Sequence, residues 1–192
     1  MLASEECPIE QDETSQELSL KMANIGSELL IKVLNDLPKH MDNKKTQPSE
    51  GVTYAPKITK VMFEIRWEEK SAQEIYNQYR ALQNFHNSSK LYSYWKDTQT
   101  IVRFDEVLPP DMLKNLVKLS DNDEKSVPGQ VISKKVKNHG RILCIKCANG
   151  WIAFKRIYYG QRKVMNMSDF YNGFLHSNQG HNSFSRYDKS PS

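Results

Sequence analysis

Few residues of this chain have the types and spacing that catalysis or metal binding requires. The 192 residues include five histidines and three cysteines, and no histidine lies in a motif typical of a nucleophile, a zinc protease or a phosphate-binding loop. Cys144 and Cys147 have the spacing of one half of a zinc site, but the other half is missing, and residues three apart in a strand face opposite ways. We therefore expect ordinary strand cysteines, no metal site and no catalytic residue in this chain.

The residues that could bind a ligand are basic and are concentrated in one segment. Residues 129–164 contain nine lysines and arginines and no acid, whereas residues 1–37 contain two bases and eight acids. Basic side chains on a sheet can neutralise phosphates, and neighbouring aromatic rings can stack on bases. A solvated charged face over core aromatic residues is the alternative, and composition does not separate the two. The basic residues of this segment that we predict to contact nucleic acid are Lys134, Lys135, Lys137, Arg141, Lys155, Arg156, Arg162 and Lys163.

The first element that could position other residues is a long amphipathic helix. Thr14 and Glu17 form a capping box at its start, and apolar residues recur at steps of three and four as far as Asp36. Its apolar face needs a partner surface, and the residues before it offer none. Residues 38–56 are polar and rich in turn formers, which is typical of a linker.

The remaining sequence predicts short strands and few helices. Residues 61–67 alternate as in a half-buried strand, and residues 71–84 have helical spacing after a second capping box. Further short strands are predicted at residues 91–95, 100–107, 130–133, 141–147 and 151–158, and a short helix at residues 168–175. Residues 111–119 fit a helix or a surface loop equally well. Five or six strands with one early helix indicate a small barrel, and residues 177–192 indicate a disordered tail.

Several short motifs resemble, in their order and spacing, the methionyl-tRNA formyltransferases. The motifs that resemble the C-terminal region of that family are residues 53–58 (TYAPKI), 65–67 (IRW), 71–76 (SAQEIY) and 79–82 (YRAL). Residues 7–9 (CPI) and 21–30 (KMANIGSELL) are similar to the end of the family's catalytic domain. Residues 149–152 (NGWI) and 168–176 (SDFYNGFLH) are similar to the mitochondrial, animal-type members.

The resemblance implies a two-domain enzyme that transfers a formyl group from 10-formyltetrahydrofolate to the amino group of initiator methionyl-tRNA. In that family a doubly wound N-terminal domain holds the folate and a catalytic Asn, His and Asp, and none of the three stands in its motif here. The resemblance therefore assigns no catalytic residue and no bound cofactor to this chain. It assigns tRNA contact to Lys57 and to Arg80, which could instead brace the barrel. It also implies a mitochondrial location and a monomeric full-length enzyme.

We thus expect an α+β, mainly β fold: an OB-like β-barrel with flanking helices, preceded by a long amphipathic helix left from a doubly wound α/β domain. The expected domains are a catalytic-domain remnant (1–37), a linker (38–56), a tRNA-binding barrel (57–176) and a disordered tail (177–192). No apolar run approaches the ~20 residues that cross a bilayer, so no membrane segment is expected. The expected function is that of the C-terminal tRNA-binding part of a methionyl-tRNA formyltransferase, inactive alone. The alternatives are a non-catalytic RNA-binding barrel and a truncation without a partner.

Overall fold

The computed structural model describes residues 1–83, 90–96, 98–161, 164–176 and 182–186, and the chain divides into two units, Met1–Thr59 and Lys60–Ser192. In the first unit, helix α1 (Ser15–Asn35) begins at the predicted capping box, where the Thr14 hydroxyl accepts from the Glu17 amide and the Thr14 amide donates to the Glu17 carboxylate. A second helix, α2 (Leu37–Asp42), follows at once. Residues 38–42 of the predicted linker therefore belong to a helix. Pro38 lies in the first turn of this helix, where proline is well tolerated. None of the described helices is long and apolar enough to cross a membrane.

The second unit is a mostly antiparallel sheet with flanking helices. Its helices are α3 (Ala72–Leu82), α4 (Pro110–Leu116), α5 (Asp121–Glu124) and α6 (Met167–Phe170), the last followed by a π-helical turn, Tyr171–Leu175. Its strands are β1 (Tyr92–Trp95), β2 (Thr100–Leu108), β3 (Val131–Val136), β4 (Gly140–Lys146), β5 (Trp151–Tyr159), β6 (Val164–Asn166) and β7 (Phe184–Ser185). Paired strands are antiparallel in the order β3-β4-β5-β2-β1-β7, and β6 pairs with β5. The five strands predicted after residue 90 and the helix after the second capping box are confirmed.

The predicted strand at residues 61–67 is wrong. Lys60–Phe63 forms a 3-10 turn, and the next residues are extended with a single parallel bridge from Glu64 to Tyr92. The predicted alternation is present in the burial of the side chains, since Phe63, Ile65 and Trp67 are buried. Val61 is the exception and is 57% exposed. Alternating burial records which side chains face the core, and it does not require ladder hydrogen bonds to a neighbouring strand.

Buried aromatic side chains form a cluster in the core of the second unit. The Phe184 ring lies 5.0 Å from the ring of Trp95 and 5.1 Å from that of Phe104, and Phe104 lies 4.5 Å from Phe154. The buried Trp67 indole donates to the Ser93 hydroxyl at 2.8 Å, so this polar pair is satisfied inside the core. A second apolar cluster, which includes Leu108, Leu113, Ile142 and Trp151, packs α4 against the sheet.

The prediction of a disordered tail is wrong for residues 182–186. Phe184 is 2% exposed, and β7 pairs with β1. The Phe184 amide donates to the carbonyl of Gly129 at 2.9 Å, where a Cβ would collide with the Phe184 carbonyl oxygen. The segment is polar in composition, and the one buried ring finds its partners far away in the sequence. Residues 177–181 and 187–192 of the predicted tail lie outside the described residues.

Candidate nucleic-acid interface

The β3–β4 hairpin carries the first half of the predicted basic set. Lys135 lies opposite Arg141 in the ladder, and Lys137 lies in the turn that joins the two strands. Lys135 and Lys137 are exposed, and no acidic or hydrogen-bonding partner is recorded for either among the residues that the structure describes. These two ammonium groups are therefore available to an anion.

Two other predicted residues of this hairpin interact with the protein itself. The Lys134 ammonium lies 2.7 Å from the Asp123 carboxylate, and this hydrogen bond lowers the pKa of Asp123. The Arg141 guanidinium donates to the Ser133 hydroxyl at 3.0 Å and lies 3.7 Å from the centre of the Tyr171 ring. Their charges are partly used to hold α5 and the π-helical turn against the sheet.

Strand β5 positions the next pair of predicted residues, Lys155 and Arg156. Arg156 pairs with Asp105 at 3.3 Å and with Glu106 at 2.9 Å, so two carboxylates face one guanidinium. Lys155 is half-buried, and no partner is recorded for it in the described part of the chain. Of the two, Lys155 is the better candidate for a phosphate contact.

The other predicted residues are dispersed. Lys57 is exposed and belongs to the first unit. Arg80 donates to the Asn77 side chain at 2.9 Å and lies 5.5 Å from the Tyr76 ring centre, so it braces α3. Arg162 and Lys163 lie outside the described residues. The structure thus joins Lys135 with Arg141 on one hairpin and places Lys155 and Arg156 on another strand.

A cleft beside β1 and β2, of about 340 Å³, was missed by sequence reasoning. Tyr92 and Tyr94 project from one face of β1, opposite Arg103 and Ile101 of β2. Its other lining residues are Lys60, Phe63 and Lys90. The signal that could have found it is the period of two in β1, which places both tyrosines on one face. Which residues lie opposite the two tyrosines depends on the register of β1 with β2.

Charges in this cleft are unevenly neutralised. Lys90 lies 2.9 Å from Asp105 and 5.3 Å from the Tyr158 ring centre, whereas Arg103 donates to the Gly160 carbonyl at 2.9 Å. No partner is recorded for Lys60 within the described ranges. Burial, chiefly, and the neighbouring Tyr94 and Glu64 raise the pKa of Tyr92, so its ring is neutral at physiological pH. Aromatic rings beside cations that no carboxylate neutralises can bind a base and a phosphate together.

The cysteine pair has the properties of core residues. Cys144 and Cys147 are fully buried, and burial raises the pKa of each thiol to about 12. A thiol with this pKa is inert at neutral pH. Among the described residues no group of three His, Cys, Asp or Glu side chains could hold a metal ion.

Comparisons with known proteins show which family this chain is similar to. The family described as "Formyl transferase, C-terminal domain" matches residues 57–175. The mitochondrial methionyl-tRNA formyltransferases of Bos taurus and Homo sapiens are 35% and 34% identical over 176 residues, which is 92% of this chain and 42% of each relative. The methionyl-tRNA formyltransferase of Rickettsia bellii is 29% identical over 91% of this chain and 49% of its own length. The chain spans less than half the length of these relatives.

Solved structures show the same fold at low sequence identity. One variant of HypX from Aquifex aeolicus superimposes with a TM-score of 0.53 over 89% of this chain and 28% of its own, at 14% identity. A second variant superimposes with a TM-score of 0.50 over 95% of this chain and 30% of its own, also at 14% identity. This likeness concerns the fold alone.

Proposed function

This chain belongs to the formyl transferase C-terminal domain family, and we propose that it is the tRNA-binding part of a mitochondrial methionyl-tRNA formyltransferase. The observation that carries the proposal is the family match over residues 57–175. This range includes both the β3–β4 hairpin and the cleft beside β1. Residues 1–37 would be the end of the catalytic domain and residues 38–56 the linker. The proposed phosphate contacts are those predicted basic residues for which the described part of the chain offers no acidic partner: Lys57, Lys135, Lys137 and Lys155.

The proposal includes an OB-like barrel. Strands β3 and β7 stand at the two ends of the sheet order, and a bridge from Gln130 to Ser183 links the residues just before them. The Val131 amide donates to the Asn182 carbonyl at 2.9 Å next to this bridge. These bonds support an arrangement in which the sheet curls towards closure, and closed or nearly closed OB barrels commonly bind nucleic acid.

In the proposed whole enzyme, the formyl group would pass from 10-formyltetrahydrofolate to the amino group of initiator methionyl-tRNA. Amine attack on the formyl carbon needs a group that accepts a proton and donors that stabilise the developing oxyanion. We assign neither role to this chain. Its contribution would be to hold the tRNA, and the folate and the catalytic Asn, His and Asp would belong to the other domain.

Two assays on the purified chain test this proposal. Binding of tRNA should be measurable at low ionic strength and fall steeply with salt, with a log–log slope that corresponds to about four to six phosphates. The same sample mixed with methionyl-tRNA and 10-formyltetrahydrofolate should give no product above the uncatalysed rate. Failure to bind tRNA at the lowest salt would contradict the proposal, and formyl transfer by the chain alone would contradict its non-catalytic assignment.

A further inference from the structure

We propose that the cleft beside β1 and β2 holds one unpaired nucleotide of the bound RNA. Its base would stack on the Tyr92–Tyr94 pair, and its phosphate would lie between Lys60 and Arg103. The inference rests on the proposed function, because it identifies a subsite for the same ligand. It adds a base-contacting surface to an interface that is otherwise defined by phosphate contacts.

The two tyrosines form an aromatic platform at the cleft wall. Both side chains are half-buried on one face of β1, and their ring centres lie 5.9 Å apart at an interplanar angle of 88°. Both tyrosines line the cleft, so each presents part of its side chain to it. Every nucleobase has a flat aromatic surface, so such a ring binds bases with little preference among them.

Two cations of the cleft are available to a phosphate. No partner is recorded for Lys60 in the described part of the chain, and Arg103 donates to a neutral carbonyl, that of Gly160. No described carboxylate neutralises Arg103, and the bond through Nη1 leaves other guanidinium donors for an anion. Lys90 is different, because Asp105 already neutralises it at 2.9 Å.

The acidic neighbour argues for a nucleotide rather than a bare phosphate. Glu64 bridges to Tyr92 through the backbone and contributes to the raised pKa of that tyrosine, so a carboxylate lies near the Tyr92 side chain. This negative charge weakens the attraction of a phosphate to a site beside Tyr92. Stacking on the rings supplies an attraction that does not depend on net charge.

The size and chemistry of the cleft favour an unpaired nucleotide. Its volume of about 340 Å³ lies at the small end of the range for ligand sites, about 300–1,000 Å³. The bases of a double helix are paired and stacked on each other, so they present no free face to a protein ring. Loops and ends of a folded RNA do present such bases.

The test compares the full chain with a double variant in which both rings are lost, Tyr92→Leu with Tyr94→Leu. The ligands are a short single-stranded oligoribonucleotide, a blunt RNA duplex and tRNA. Loss of the stacking platform should weaken single-strand and tRNA binding by roughly 5- to 150-fold and leave duplex binding unchanged. The salt slope should stay the same, because no phosphate contact is removed. The matched control, Tyr92→Phe with Tyr94→Phe, keeps the rings and should bind as the unmodified chain does.

A second variant keeps the proposal testable if the leucine pair unfolds the sheet. Lys60→Ala should reduce the salt slope for the single strand by about 0.7, and Lys118→Ala, an exposed lysine outside the cleft, should not. The inference is overturned if the chain binds tRNA but a folded leucine variant binds as tightly, or if Lys60→Ala leaves the slope unchanged. If the unmodified chain binds neither tRNA nor single strand, the proposed function itself fails.

Discussion

At the scale of single residues, the basic side chains of residues 129–164 differ in how much of their charge a ligand can use. Lys134 and Arg156 each lie within 3 Å of a carboxylate, and Arg141 is stacked over a tyrosine ring, whereas Lys135 and Lys137 are exposed without a recorded partner among the described residues. The sequence revealed an acid-free segment. The acidic partners of these basic side chains, however, come from other segments. The sequence alone therefore does not reveal which basic residues are paired.

Lys134 should contribute to stability rather than to RNA binding. Replacing it in the variant Lys134→Met should lower the free energy of unfolding by less than about 1 kcal/mol at pH 7, because the ion pair is partly exposed. The Lys134 hydrogen bond lowers the folded-state pKa of Asp123, so its stabilisation is present above the unfolded pKa of ~3.9 and is lost as the pH falls through the folded pKa. Urea denaturation should therefore show a larger difference between the two proteins at pH 7 than at pH 3. Lys114→Met, which breaks an exposed pair with Asp111, is the control and should change little; a loss independent of pH would assign the effect to packing.

The two candidate basic pairs should differ in their effect on salt dependence. Replacing Lys135 and Lys137 together by alanine should reduce the slope of tRNA binding by about 1.5, because both contacts are available to phosphate. Replacing Lys155 and Arg156 should reduce it by only about 0.8, because Asp105 and Glu106 share the Arg156 charge. Salt titrations of both double variants measure this. A larger reduction for the second pair would contradict the structural ranking.

At the scale of secondary-structure elements, local signals were sufficient wherever the element is stabilised locally. Both capping boxes stand where the sequence predicted, since the hydroxyl and the carboxylate lie three residues apart and need no distant partner. The strand prediction for residues 61–67 was wrong because the buried side chains of this segment are held by the core and not by a strand ladder. The cleft was not predicted for a related reason. Tyr92 meets Arg103 only through the β1–β2 register, which depends on the whole sheet.

The last strand offers the clearest test at this scale. Phe184→Ala should lower the free energy of unfolding by about 3–5 kcal/mol, because the ring is buried among Trp95 and Phe104. Val164→Ala, in an edge strand and 45% exposed, is the control and should cost much less. Chemical denaturation of the two variants measures the difference. Equal stability of Phe184→Ala and the unmodified chain would mean that the segment around β7 is not part of the core.

At the scale of the whole molecule, the two units differ in how much apolar surface they bury. In α1 only Val33 is buried, at 7% exposure, while large apolar side chains of the same helix are more than half exposed. These are Leu20, Met22, Leu30, Ile31 and Leu34. Five large apolar side chains that are more than half exposed are uncommon on one helix of an isolated soluble protein, so we expect α1 to pack against another surface in its native context.

Hydrogen exchange should therefore separate the two units. Amides of residues 15–35 should exchange much faster than those of β2, β4 and β5, because few buried contacts oppose local opening of α1. Exchange followed by mass spectrometry on a dilute sample measures this, and the buried central strands serve as the internal control. Strong protection of the helix in a monomeric sample would show that it has a packing partner within the chain.

The central claim, that this chain binds tRNA through the lysines proposed above, is tested most directly by lysine acetylation of the chain with and without tRNA at low salt. Mass spectrometry then reports the reactivity of each lysine. The account predicts that tRNA protects the proposed contacts, namely Lys57, Lys60, Lys135, Lys137 and Lys155. Lys39 and Lys114, whose side chains are 73% and 76% exposed, should stay reactive. Equal reactivity of all these lysines with and without tRNA, or protection confined to Lys39 and Lys114, would contradict it.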